Sequence, residues 1–282
     1  MLGTDTAPHL VAVTRSGGLW HATGSWADFD PVRAGDRGPL TATGAAVVSG
    51  DLHTVAVTRG GGLVHAVRRA SGVWVRFGDV KSHAGNPGVV ADVATAAVGD
   101  DLRLLVRTTT GGLFHTLRHA DGSWEQFGYL KGLIGDPGFI TDMAVTAVDR
   151  DLHVLAATNR GRLHHAIRWA DGTWRVFHDV AAHRGRIAAA GVAGALHVLA
   201  YGVDRVRHLI RRADRGWENA GDLAGDPRRV TDLAAAGVGG ELHVLVTTAA
   251  GGLDHTVRDA RGGWNEVGAG DHPGSVARAA IT

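Results

Sequence analysis

The hydrophobic pattern of this chain is short and punctuated. Apolar runs such as LRLLVRT (102–108) and LHVLVTT (242–248) alternate with turn signals such as GDD, TTTGG, ADG and GDPG, and no apolar stretch is long. Short strands divided by Gly-rich turns at intervals of about eight to twelve residues predict an all-β fold. The runs also repeat. PHLVAVT (8–14), LHTVAVT (52–58), LRLLVRT, LHVLAAT (152–158), LHVLAYG (196–202) and LHVLVTT are six versions of one strand. Each is followed by a strand that carries histidine, Gly-Leu-x-His in four of the units, and then by a strand that opens on Trp. The histidine recurs at His21, His65, His115, His165, His208 and His255, and the tryptophan at Trp26, Trp74, Trp124, Trp174, Trp217 and Trp264. A run of small residues, ADVATAAV (91–98) in the third unit, precedes the second strand in the last five units.

Six units of about 47 residues, each of four strands, fit a propeller blade. The small-residue first strand suits the crowded axis. A solenoid is the structural rival, but it needs atypical capping repeats, and the terminal units show none. The prediction is one β-propeller domain over 1–282, six-bladed, with four antiparallel strands per blade. PGSVARAAIT (273–282) matches the first-strand segment of the other units, so this C-terminal strand is expected to complete the first blade and remove an exposed sheet edge.

Seventeen histidines are many for 282 residues. Eleven occupy two repeated places. Those on the second strand are His9, His53, His153, His197 and His243, and the six named above lie on the third. The two places are neighbours across a hairpin and share a face. Arg103 stands where the third unit should carry the second-strand histidine. A metal would not tolerate that exchange, no carboxylate recurs beside the pairs, and a zinc site needs three or four ligands. The expectation is that these histidines hydrogen-bond backbone or side chains between blades, and that each outer-strand tryptophan packs on a neighbouring blade.

A second register lies on the first strands. Ala42, Asp92, Asp142, Arg186, Asp232 and Arg278 occupy equivalent positions, which places three carboxylates and two guanidiniums at one mouth of the central channel. They either neutralise one another or bind a small polar ligand, with Arg186 and Arg278 gripping an acidic group through paired hydrogen bonds. Trp20 and Tyr201 belong to the irregular first and fifth units and are candidate ligand contacts.

Composition narrows the field. Net charge is +1, from 29 basic and 28 acidic residues, which gives no basic face for nucleic acid. There is no cysteine, hence no disulfide or thiolate metal site. No apolar run is long enough to span a membrane, and the N-terminus lacks a signal-peptide pattern. The expected location is the cytoplasm, with unconventional release left open. Arg-rich, Lys-poor composition suggests a bacterial, GC-rich source. No phosphate loop, nucleophile motif or cofactor fingerprint is present, so no catalytic residue, metal or cofactor is assigned.

The unit LHVLVTTAAGGLDHTVRDARGGWNEVG (242–268) resembles the blades of bacterial propeller lectins of the Photorhabdus lectin type, and more loosely tectonin repeats. The shared features are the apolar second strand, the Gly-Leu-x-His third strand and the Gly-Trp fourth strand. That type usually has seven units rather than six. The resemblance implies a binding protein for carbohydrate or a similar polar small molecule. Two alternatives stay open: an enzyme with one asymmetric acid–base site at the channel mouth, and a protein-interaction scaffold.

Overall fold

The apolar runs are the second strands of six four-stranded antiparallel sheets, arranged as the blades of a β-propeller. The computed structural model describes residues 7–24, 26, 28–75, 77–214, 216–223, 230–268 and 273–282. Blade 1 contains β1 (His9–Thr14), β2 (Leu19–Thr23) and β3 (Asp30–Val32). Blade 2 has β4 (Leu40–Val48), β5 (Asp51–Thr58), β6 (Leu63–Arg68) and β7 (Gly78–Asp79). Blade 3 has β8 (Val90–Val98), β9 (Asp101–Thr108), β10 (Leu113–Arg118) and β11 (Gly128–Tyr129). Blade 4 has β12 (Ile140–Val148), β13 (Asp151–Thr158), β14 (Arg162–Arg168) and β15 (Trp174–Ala182). Blade 5 has β16 (Ile187–Val192), β17 (Ala195–Tyr201), β18 (Val206–Arg212) and β19 (Gly216–Asp222). Blade 6 has β20 (Val230–Val238), β21 (Glu241–Thr248), β22 (Leu253–Arg258) and β23 (Trp264–Gly268). The last strand, β24 (Val276–Ile281), pairs antiparallel with β1, Leu10 opposite Ile281 and Val13 opposite Arg278. It supplies the inner strand of blade 1, and the ring closes as the repeat register predicts.

A blade cannot bury both of its faces alone, so its second strand is covered on both sides by neighbours. Leu152 to Thr158 are buried without a break. The core is accordingly six separate apolar layers, one per blade interface. The layer between blades 2 and 3 joins Val55 and Val57 to Val93, Leu104 and Val106. The layer between blades 5 and 6 joins Leu199 and Val206 to Leu233, Val244 and Val246. Burying each such side chain contributes roughly 1.5–3 kcal/mol.

The inner strands are small because they crowd the axis. A Cβ on Gly191 would run into the carbonyl oxygen of Ala147 in blade 4, and one on Gly237 into the carbonyl oxygen of Gly191 itself. Only glycine permits three consecutive inner strands to come this close. The Gly-rich connectors behave as turn chemistry requires: Asn86 accepts from the Gly88 amide at 3.0 Å, and Asp136 from the Gly138 amide at 2.9 Å.

Three local expectations need correction. In blades 2 and 3 the fourth strand is only two residues long, and Trp74 and Trp124 make isolated bridges to Arg68 and Arg118 instead. The short strands leave the rim of the interface layer open. Two helices that the sequence reading did not assign cover it: α1 (Lys81–Ala84), burying Ala84, and α2 (Leu130–Ile134), burying Leu130 and Ile134. In blade 1 Trp26 is not on the fourth strand. It lies before β3 in a left-handed conformation (φ 52°), buried.

Candidate functional site

Two regions of the ring gather polar chemistry: the clefts between blades and one mouth of the channel. In the clefts, the second- and third-strand histidines are diagonal neighbours, as with His53 opposite Val67 and His65 opposite Val55. Nδ1 of the first and Nε2 of the second lie 3.1 Å apart. The same hydrogen bond recurs in blades 1, 4, 5 and 6, from His9 to His21, His153 to His165, His197 to His208 and His243 to His255, at 2.9 to 3.1 Å. In each, one ring donates and the other accepts. The bond is thus made within a blade, not between blades as the sequence suggested, because the hairpin register already brings the two rings into reach.

The contact between blades is aromatic. The third-strand ring meets, edge to face, the tryptophan of the next blade: His21 with Trp74, His65 with Trp124, His165 with Trp217 and His208 with Trp264, at centroid separations of 5.4 to 5.6 Å. The last cleft differs. Trp26 lies tilted on His255 at 4.1 Å.

An arginine completes the cleft, and the sequence reading missed it. Three residues after the third-strand histidine stand Arg68, Arg118, Arg168, Arg211 and Arg258, a His-x-x-Arg spacing that was visible. Each guanidinium faces the histidines of the preceding blade. Its charge adds to the effect of burial, which comes first in lowering the histidine pKa values: His21, His65 and His208 to about 3, His53, His153 and His197 to about 4. The imidazoles are therefore neutral at physiological pH and can each donate or accept. Beside Arg118 and Trp124 a cavity of about 250 Å³ opens, reaching His65 and the exposed Asp79. Gly24 occupies the arginine position of blade 1, so the cleft between blades 6 and 1 lacks this group.

The channel mouth gathers Asp92, Asp142, Arg186, Asp232 and Arg278. A bulge at the start of β8, β12 and β20 re-aims each aspartate, with register breaks at Val90/Asp92, Ile140/Asp142 and Val230/Asp232. Arg278 Nη1 donates to Asp232 Oδ1 at 2.6 Å, and its Nη2 lies 3.6 Å from Asp92. Arg186 Nη1 donates to Asp142 Oδ1 at 3.3 Å. The two outer oxygens cross to the next blade, where Asp142 accepts from the Ile187 amide at 2.8 Å and Asp232 from the Ala279 amide at 3.0 Å. Burial pushes the Asp142 pKa up to about 6 against the pull of Arg186, and raises that of Asp232 against the pull of Arg278. Burial acts to discharge Arg278, but Asp232, Asp92 and Asp142 outweigh it and hold the guanidinium protonated.

Arg107 and Arg184 join this group without having been foreseen, because they lie on a second strand and a connector outside the first-strand register. Arg107 Nη2 is 3.5 Å from Asp92. Above the buried aspartates a cavity of about 470 Å³ is bounded by Arg107, Arg184, Arg186 and Arg278, with Asp142 and Asn159. A narrower space of about 100 Å³ continues between the inner strands. Trp20 and Tyr201 do not line this cavity. Trp20 sits half-buried on β2 opposite Ala12 and Pro31, and Tyr201 packs against the apolar layer of blades 5 and 6.

No protein-family model and no curated protein sequence matches the chain. Solved structures do. BP39L lectin from Burkholderia pseudomallei superposes with a TM-score of 0.69 at 18% identity, over 93% of this chain and 80% of that one. A variant of Aleuria aurantia lectin in complex with Fucα1-6GlcNAc gives 0.69 at 14% identity, over 93% and 91%. AofleA from Arthrobotrys oligospora gives 0.66 at 15% identity, over 99% and 89%. These neighbours are propellers. An Aleuria aurantia lectin structure with a TM-score of 0.63 is itself described as six-bladed, with a novel mode of fucose recognition. At such identities the likeness establishes the architecture, and the chemistry has to be argued from this chain's own clefts.

Proposed function

We propose that this propeller binds carbohydrate, or a similarly hydroxylated polar small molecule, in the clefts between its blades. The observation that carries this reading is the repeated meeting, across a blade boundary, of a tryptophan, an arginine and a neutral histidine pair. A sugar presents hydroxyls to charged donors and C–H faces to aromatic rings. A cleft with one apolar wall and a few convergent polar groups matches both needs. Two further facts support it. Structural neighbours include Aleuria aurantia lectin in complex with α-methyl-L-fucoside, and the Gly-Leu-x-His and Gly-Trp strands resemble the Photorhabdus lectin type. A glycan array that includes fucosides tests the reading. Replacing Arg118 and Trp124 by alanine together should empty the cleft between blades 2 and 3 and lower the number of sites by one, while the fold survives. Repeated absence of binding to any glycan removes the proposal.

A second reading rests on the mouth cavity, where Arg186 is more open to solvent than Arg278, their side chains 30% and 18% exposed. One small acidic molecule held by Arg186 would give a single site per chain. Arg186→Ala would then abolish binding and leave the clefts untouched.

A further inference from the structure

One cleft departs from the others at a single position. Arg103 stands on β9 where the other five blades carry histidine, so His115 has no imidazole partner. Its Nε2, which in those blades meets the Nδ1 of the second-strand ring, is buried with no hydrogen bond. Arg103 is itself only 9% exposed. Its Nη2 donates to Asp101 at 3.2 Å, but its Nη1 is buried and unpartnered. Arg168 of blade 4 faces the same space: after burial its charge depresses the basicity of Arg103, and His115 is depressed by burial, then by Arg103 and then by Arg168. A cavity of about 290 Å³ opens here, lined by Arg103 and Arg168, with Arg150 and Asp101 at its edge. Asp100, also at the edge, is engaged by the Ser49 hydroxyl of blade 2 at 2.7 Å.

This arrangement is incomplete as it stands. Two guanidiniums share a cleft in which Arg103 makes one charged hydrogen bond, donated to Asp101. Buried polar atoms in folded proteins are almost always matched, and an orphan points to a water or an ion. A water would satisfy an N–H, but would leave the two like charges facing each other. An oxyanion answers both, since its oxygens accept paired hydrogen bonds from guanidinium forks. In the other arginine-bearing clefts the same place holds neutral imidazoles.

We propose that the cleft between blades 3 and 4 is an oxyanion site, taking a carboxylate, sulfate or phosphate group, either as a free ion or as the acidic substituent of a sugar. The sugar form rests on the reading of the clefts as carbohydrate sites, whereas the free-ion form does not.

Calorimetric titration of sodium sulfate, sodium glucuronate and α-methyl fucoside into the wild-type chain, Arg103→His and Arg103→Gln tests this. Arg103→His writes back the residue used by the other blades and gives His115 a partner, so this variant should fold and melt at a higher temperature. Sulfate and glucuronate should bind the wild type and weaken by about tenfold or more in both variants, the loss of a charged hydrogen-bond pair. Any fucoside binding should stay the same in all three. Glucuronate binding far more tightly than sulfate assigns the site to an acidic sugar, and equal binding assigns it to the free oxyanion. No binding of either anion to the wild type up to about 10 mM, a very weak limit, overturns the proposal. So does undiminished anion binding by Arg103→Gln. If fucoside and all other neutral glycans fail while sulfate still binds, the carbohydrate reading falls and the oxyanion site stands.

Discussion

His153 and His165 show what each histidine pair does at the scale of single residues. Their 2.9 Å hydrogen bond is buried between two blades. Replacing either one with alanine strands the other ring's nitrogen, which costs roughly 1–3 kcal/mol, while replacing both costs less than the two separate losses added together. Urea denaturation of the two single variants and the double variant checks this. The pairs also set a pH dependence. The folded pKa values of His21, His53, His65 and His208 lie below the ordinary 6.5, at about 3 to 4. A depressed folded value means that stability is complete above pH 6.5 and is lost as pH falls toward 3. Each such histidine contributes at most about 1.4 kcal/mol per pH unit. Asp142 has the opposite sign: its pKa is raised to about 6, so protonation in this window favours the fold, but it is one group against many. The melting temperature should therefore drop steeply between about pH 6 and 4, and a flat profile would show that the pairs are not neutral in the folded state. The positions of these histidines were legible because they repeat. Their partners were not, because a second-strand and a third-strand ring on one face can meet each other or the next blade, and only the register decides.

Strands with a long apolar run were readable as elements, and short or irregular ones were not. A helix of four or five residues such as α1 or α2 has too few turns to display a period, and the glycines around it read as loop. The tryptophan before β3 misled for a different reason. The shortened turn HATGSW moves Trp26 off the strand and into the neighbouring blade's aromatic contact. The inner strands give two tests. Gly237→Ala places a methyl group against the backbone carbonyl of Gly191, which cannot rotate away, and should destabilise by about 1–3 kcal/mol. Deleting 273–282 removes β24, with the buried Val276, Ala279 and Ile281, and uncovers the edge of β1. The melting temperature should fall by well over about 5 °C, and an unchanged value would count against closure by this strand.

Around the whole ring, symmetry was easy to see and its breaks were harder to interpret. The register of Asp92, Asp142, Arg186, Asp232 and Arg278 placed five side chains together correctly, because inner strands converge whatever their loops do. It could not reveal Arg107 and Arg184, which reach the mouth from other elements. The breaks now order the clefts. Four join a histidine pair, an arginine and a tryptophan; one substitutes Arg103; one lacks the arginine. Calorimetry with a neutral sugar should therefore give close to four equivalent sites per chain, whereas a value of one would move the binding to the channel mouth. The closing strand has a mechanical consequence. His9 and Thr282 exchange both of their backbone hydrogen bonds, at 2.9 and 3.0 Å, at the open end of the β1–β24 ladder. A force applied to the two ends of the chain therefore loads this ladder one rung at a time, as a zipper, and not all rungs together in shear. The ring should therefore open at a low pulling force, with blade 1 first to part.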